Sequence, residues 1–349
     1  MHGEYKVPGG KLVVAEVEVA DRHLARVSIS GDFFLEPDSA LGTINAALTG
    51  MSAEASAMQM AHAIDAALDE SVSLMGFSSR AVGIAVRRAL GKATRWDDHT
   101  FEVIDAVRLD AVQHVALDEV LPASVAAGLR GPTLRLWDWG DSVVVIGAFQ
   151  SVANEVDPEG AQRYQSRVVR RITGGGAMFM EPGNCITYSL IVPASLVEGM
   201  SFEQSYVFLD DWVLGALAEV GVNAHYVPLN DIASDHGKIG GAAQKRFSNG
   251  VVLHHATLAY DIDAQRMTEV LRIGREKLSD KGIASANKRV DPMRSQTGMT
   301  REDIMRAFLT HFTARYATVS GQYTQQELEQ ADALARSKFL TPEWTYRVP

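Results

Sequence analysis

The chain has 349 residues, with 43 Asp plus Glu against 33 Lys plus Arg and a formal net charge of −10. That acidity argues against a general nucleic-acid or anionic-membrane binder, and the length leaves room for two domains that each bury a core. Cys185 is the only cysteine, which excludes an intrachain disulfide and a cysteine-built zinc cage. The charged opening MHGEYKVPGG and the lack of any run near ~20 apolar residues make a cytoplasmic location, without a signal peptide or membrane span, the expectation.

In chain order, residues 11–19 and 24–31 alternate apolar with polar around Ala20-Asp21-Arg22-His23, the pattern of a hairpin with one face on a core. Asp38 or Ser39 can cap a helix through Leu48, and Gly50 ends it. Ser52 opens a longer helical pattern to Val72, with Ala57, Met60, Ala61, Ile64 and Leu68 on one stripe. A short apolar helix, Ala81 to Leu90, closes at Gly91. These elements form a small α+β domain over residues 1–90, and the polar, aperiodic stretch 91–101 reads as a linker.

Beyond the linker, residues 102–349 mix strands with helices and show no repeat, so a second α+β domain with a mixed sheet and helices on its outer faces is expected. Asp110 caps a helix that Pro122 breaks after Leu121. Strands follow at Thr133–Trp137 and Ser142–Phe149, a helix at Ser201–Val220 and a short strand at His225–Val227. The tract Asn230 to Gly241, rich in Gly, Asp and Asn, reads as a loop before the strand Val251–Ile262. Helical patterns return at Ala264–Leu271, Thr300–Tyr316 and Thr324–Lys338.

The most informative stretch is VVRRITGGGAMFMEPGNCITYS, residues 168–189. It reads as strand, tight turn, strand, with three consecutive glycines at Gly174, Gly175 and Gly176. Such a run is tolerated where the backbone takes positive φ or approaches a ligand. Phosphates and carboxylates are the usual guests of clustered backbone N–H groups, and Arg170 and Arg171 add cationic forks. Side chains alternate along a strand, so one of the two arginines reaches the ligand and the other faces solvent or a salt bridge.

Lys238 stands between Gly237 and Gly240-Gly241, a point charge held close to backbone. Asn230-Asp231 precedes it in the same tract, where the carboxylate could hold Mg²⁺, orient the lysine or simply form a turn. His254-His255 lies on a strand with one ring inward and one outward, and packing is favoured over metal ligation. Cys185 is the obvious candidate nucleophile, yet its place at the mouth of an apolar strand favours a buried structural thiol.

Taken together, RRITGGGAMF, GN with YS, ND, GKIGGAAQ, LHHATL and KGIASANKRV resemble, in order and spacing, the catalytic domain of lipoate-protein ligases. The opening KVPGGKLV and ISGDFF are similar to the accessory domain of the same enzymes, which here precedes the catalytic one. The resemblance implies a biotin/lipoate ligase-like fold and a two-step reaction. Lipoate is activated with ATP to lipoyl-AMP, and the lipoyl group then passes to a lysine of an apo lipoyl domain. The implied acceptors are the lipoyl domains of 2-oxoacid dehydrogenase complexes or the glycine-cleavage carrier protein.

By the same resemblance, Arg171, Gly176, Ala177, Met178 and Phe179 bind ATP and lipoyl-AMP, Lys238 is the catalytic lysine, and Asn230 and Asp231 orient it or hold Mg²⁺. Gly174, Gly175 and His255 fall at the lipoate pocket. The chain departs from the family at Met180-Glu181, where His-Asp is usual, and at Ala256, where glycine is usual. An octanoyltransferase of the same fold, working without ATP, is the rival expectation. Those enzymes use a cysteine beyond the lysine loop, and no cysteine follows Lys238. A non-catalytic lipoate-binding protein is the other alternative. With both domains on one chain, a monomer is expected.

Overall fold

The computed structural model describes residues 1–7, 10–91, 93–272 and 290–348. Pro8 and Gly9 of the opening motif, Lys92 of the expected linker and all of KGIASANKRV except Val290 lie outside the described residues. The chain forms two compact units, Met1–Asp98 with Ala194–Phe208, and His99–Pro193 with Leu209–Pro349. The first unit thus takes up a segment from the middle of the chain.

In the first unit, β1 (His2–Lys6), β2 (Leu12–Ala20) and β3 (His23–Gly31) make an antiparallel sheet, and β4 (Phe34–Glu36) pairs with β5 (Ser73–Met75). Helices α1 (Ala40–Leu48), α2 (Ala57–Ala67) and α3 (Ser79–Ala89) pack beside them. The second helix starts five residues later than its sequence pattern suggests, because Ser56 and Gln59 form a reciprocal capping box while Ser52 bridges to His23. Ala57, Met60, Ala61 and Ile64 form its buried stripe as expected. From Ala194–Phe208, Glu198 receives an ion pair from the buried Arg87 at 3.1 Å.

The second unit is built on an eight-stranded mixed sheet in the order β12-β13-β14-β15-β11-β7-β6-β16. The strands are β6 (Phe101–Leu109), β7 (Thr133–Trp139), β11 (Cys185–Pro193), β12 (Ala224–Val227), β13 (Asp231–Ser234), β14 (Lys238–Arg246), β15 (Val251–Ala259) and β16 (Thr318–Ser320). Pairing is antiparallel from β12 through β7, while β6 runs parallel to both β7 and β16. A small sheet, β10-β8-β9, comprises β8 (Val143–Ile146), β9 (Arg167–Arg170) and β10 (Met178–Met180).

Helix α4 (Ala111–Ala126) covers one face of the large sheet. On the other face Trp212, from the helix Phe202–Glu219, meets Tyr188 of β11 and Phe308 of the helix Arg301–Arg315. With both faces covered, β15 is buried at every position and β11 at all but its last.

Several expectations change here. The glycine segment is not a hairpin turn: β8 inserts between β9 and β10, running parallel to the first and antiparallel to the second, and β11 joins the other sheet. Asn230–Gly241 contains β13 and the start of β14, since pairing with β15 overrides the glycine content. Pro122 sits inside α4, whose packing through Leu117 and Leu121 outweighs the ~3 kcal/mol local penalty of a helical proline. Strand β6 occupies residues that no sequence pattern singled out. Among the described residues no helix is long and apolar enough to cross a membrane.

Candidate active site

A cavity of about 290 Å³ opens in the second unit between the glycine segment and the large sheet. Its sheet wall carries Gly240, Gly241, Ala242 and Ala243 of β14 and Ala256, Thr257 and Ala259 of β15, small residues that leave the space. Trp137 and Trp139 of β7, Val115 of α4 and Val145 of β8 add apolar surface. Both indole N–H groups are used elsewhere, on Ser189 Oγ at 2.9 Å and Thr187 Oγ1 at 3.0 Å. Met180 stands in the wall and supplies a thioether, while Glu181 turns away to pair with Arg266 at 2.9 Å.

Gly176, Ala177, Met178 and Phe179 all line the cavity, as does Arg171. Gly174 and Gly175 flank it without lining it. At Gly175 φ is +92°, which favours glycine, and an added Cβ would stand 2.8 Å from Arg171 Nη2 and push the guanidinium from its place. A Cβ built on Gly176 would meet nothing within 4 Å, as expected of backbone bordering open volume.

The two arginines divide in a way that alternation along a strand only half anticipates. Arg171 donates from Nη2 to Gly174 O at 2.6 Å and from Nε to Thr173 Oγ1 at 3.0 Å, holding its guanidinium along the turn. Arg170, expected to face solvent or a salt bridge, is wholly buried. It donates to the carbonyls of Gly147, Ala148, Gln150, Trp344 and Thr345, with the contact to Gln150 at 2.6 Å. The five donors of a guanidinium let it tie the β8 end to the C-terminal segment without a carboxylate.

Lys238 lies at the cavity with its Nζ 2.7 Å from Asp231 Oδ1, and both side chains keep substantial exposure, 47% and 36%. An irregularity in the β13/β14 register puts these residues near each other, and Gly241 clears the ground between them. A Cβ there would stand 3.2 Å from Lys238 Nζ and 3.3 Å from Asp231 Oδ1. Asn230 also lines the cavity, but its side-chain Nδ2 donates to Ala242 O at 2.6 Å and its backbone carbonyl accepts from Ala242 N at 2.9 Å. It fastens the strand junction. Among the described residues no group of three or more His, Cys, Asp or Glu gathers into a cluster that could hold a metal.

His255 lines the cavity, whereas His254 is sealed on the opposite face, so neither ring points to open solvent as the strand pattern suggested. His255 Nδ1 lies 2.6 Å from Asp118 Oδ2, and its Nε2 lies 2.8 Å from Thr173 Oγ1. Burial pushes the imidazole below its ordinary range against the opposing pull of Asp118. Burial raises the Asp118 carboxyl, but Arg135 at 2.7 Å and His255 reverse that and hold it below the usual carboxylate range. Cys185 is fully buried and absent from the cavity wall, and burial pushes its thiol up to about 12.

Sequence reasoning missed Asp118 and Thr173. One signal was available: Asp118 interrupts the apolar run VALDEVL of α4, where a solvated acid has no place. Thr173 adjoins the glycines, but nothing local tells a hydroxyl that meets His255 and Arg171 from one that only shapes a turn.

Comparison with known proteins agrees with this architecture. The family described as "Lipoyl protein ligase A/B catalytic domain" matches residues 110–313, more than half of the chain. The octanoyltransferase LipM of Halalkalibacterium halodurans is 25% identical over 71% of this chain and 99% of its own length. Lipoate–protein ligase 1 of Staphylococcus aureus is 28% identical over 58% of this chain and 61% of its own. Among solved structures, the archaeal bi-partite lipoate protein ligase from Thermoplasma acidophilum, studied with its E2 lipoyl domain, has a TM-score of 0.64. It is 25% identical and covers 72% of this chain and 98% of its own.

Proposed function

Because the chain belongs to the lipoyl protein ligase A/B catalytic-domain family, we propose that it is a lipoate-protein ligase that activates lipoate with ATP and passes the lipoyl group to a lysine of an apo lipoyl domain. The observation that carries this reading is the state of Cys185. Its thiol is buried, raised to about 12 and away from the cavity, so the one cysteine of the chain is not available to accept an acyl group. Activation by adenylation needs no enzyme nucleophile.

In this reading the apolar wall of Trp137, Trp139, Val115, Met178 and Met180 takes the aliphatic chain and dithiolane. The carboxylate attacks the α-phosphorus of ATP, the bond to pyrophosphate breaks, and lipoyl-AMP remains. Arg171, Lys238 and the backbone of Gly176 to Phe179 surround the place where negative charge accumulates in that step. A donor so placed is typically worth ~3 kcal/mol. Asp231 keeps the ammonium of Lys238 turned toward the site. In the second step the acceptor amine attacks the acyl carbonyl and AMP leaves.

The described side chains do not fit a Mg²⁺ ion held by protein alone, since Asp231 is committed to Lys238 and no acidic cluster surrounds it. A divalent ion entering with ATP would rest on the phosphates. We further assign the first unit to the accessory role in activation. Its readout needs care, because Ala194–Phe208 belongs to the same compact unit as Met1–Asp98. A chain beginning at residue 99 that still transfers from preformed lipoyl-AMP but no longer activates lipoate would support the assignment. Loss of both activities would leave it without support.

Lipoate-dependent exchange of labelled pyrophosphate into ATP tests the main reading. Exchange by the full chain, lost in Lys238→Ala, is expected. The LipM match over 99% of that relative's length favours a second reading, transfer of octanoyl groups without ATP. No exchange by the full chain, together with transfer from an octanoyl carrier protein, would replace the first reading by the second.

A further inference from the structure

The hydrogen bonds behind the cavity wall form one line from α4 to the glycine turn. Asp118 Oδ2 meets His255 Nδ1 at 2.6 Å, His255 Nε2 meets Thr173 Oγ1 at 2.8 Å, and Thr173 Oγ1 meets Arg171 Nε at 3.0 Å. Asp118, Thr173, His255 and Arg171 are each more than nine-tenths buried. The line begins at a fixed point, for Asp118 Oδ1 accepts from Arg135 Nη2 and from Ser189 Oγ, each at 2.7 Å.

Direction follows from chemistry. A carboxylate only accepts, so His255 donates from Nδ1 and its neutral ring keeps a lone pair on Nε2. That lone pair accepts the Thr173 hydroxyl proton, which leaves the threonine oxygen turned to accept from Arg171 Nε. We infer that Asp118, acting through His255 and Thr173, is the positioning residue that aims Arg171 along the glycine turn. The guanidinium is thereby held at both ends, by Thr173 at Nε and by Gly174 O at Nη2. None of the three upstream residues needs to touch the substrate for this task. Only Arg171 and His255 line the cavity.

This inference rests on reading Arg171 as a phosphate-binding residue, and two measurements keep the two ideas apart. Substitution of Asp118 itself strands Arg135, so the relay is better cut in its middle. Thr173→Val preserves shape and removes the hydroxyl, while Thr173→Ser restores it. Pyrophosphate exchange by full-length Thr173→Val should lose at least about tenfold in kcat/KM for ATP, with KM for lipoate within about twofold and a modest fall in melting temperature, since Arg171 Nε and His255 Nε2 lose a buried partner. Thr173→Ser should recover most of the loss. A purely structural threonine would move both substrates' parameters or neither.

The second measurement needs no activity. Nitrogen-15 histidine spectra of the unaltered full-length chain, with His255 identified by its absence in His255→Gln, should show the proton on Nδ1. Wild-type exchange by Thr173→Val, or a proton on His255 Nε2, would overturn the inference. If the full chain gives no exchange at all, the ligase reading has failed and the tautomer alone decides whether the relay exists.

Discussion

The two faces of the central strand pair β11–β15 carry the same chemistry and do different things with it. On one face His255 meets Asp118 at 2.6 Å, and on the other His254 meets Asp210 at 2.6 Å, with the Tyr188 hydroxyl donating to the same carboxylate. Both acids are buried. The difference lies in the covering layer. Trp212, Phe308 and Phe312 seal the His254 face, whereas small residues and the glycine segment leave a cavity beside His255. An acid–histidine pair is therefore no mark of a site in itself. The unfilled volume next to it is.

The sharpest test of this contrast is Lys238→Ala at the cavity. Its ion pair with Asp231 is exposed enough that stability should change by only ~0–1 kcal/mol, while exchange activity should fall by about a hundredfold or more. Denaturation and exchange measured on one preparation would separate the two.

The acids behind the two faces should, unlike Lys238, cost stability, and of the two only Asp118, through the relay inferred for it, should also cost activity. Asp118→Ala leaves Arg135 charged and buried, with an expected cost of about 3–5 kcal/mol in denaturant unfolding. Asp210→Ala leaves the Tyr188 hydroxyl without its acceptor, at about 1–3 kcal/mol, and the protein that remains folded should keep its exchange rate per molecule. A fall in specific activity there as large as at Lys238 would erase the distinction between the faces.

A functional effect as small as that at Asp210 is expected at Cys185. With its thiol raised to about 12, it should resist iodoacetamide at pH 8 in the native state and react only after unfolding. Cys185→Ala should keep exchange within about twofold. Rapid native alkylation with loss of activity would return the cysteine to the mechanism and revive the transferase reading.

How much was legible in advance depends on how local the controlling physics is. Gly176 to Phe179, Arg171 and Lys238, all of which line the cavity, stand out in advance because six motifs fall in the order and spacing of a known family, whereas a glycine run or a flanking cation alone also suits an ordinary turn or an exposed loop. The helix starts at Asp110 and Thr324 could likewise be read, since the capping bonds span three residues, although the sequence pattern favours Ser52 over the same device at Ser56.

Other features are decided between segments far apart in the chain. Glycine content alone could not foretell that Asn230–Gly241 would be strand, because the pairing partner, β15, begins ten residues beyond its end. Nor could alternation along β9 assign Arg170 to carbonyls of Trp344 and Thr345, more than 170 residues away. Asp118 and Thr173, 55 residues apart, meet only through a histidine on a third element. By itself the sequence pointed, through the order of its motifs, to the side chains and bare backbone that line the cavity, Arg171, Lys238 and Gly176 to Phe179. The tertiary structure alone decided what holds the neighbours of His255 and Arg171, His254 on Asp210 and Arg170 on backbone carbonyls, because burial and directional hydrogen bonds are settled by what packs against a strand and not by the strand.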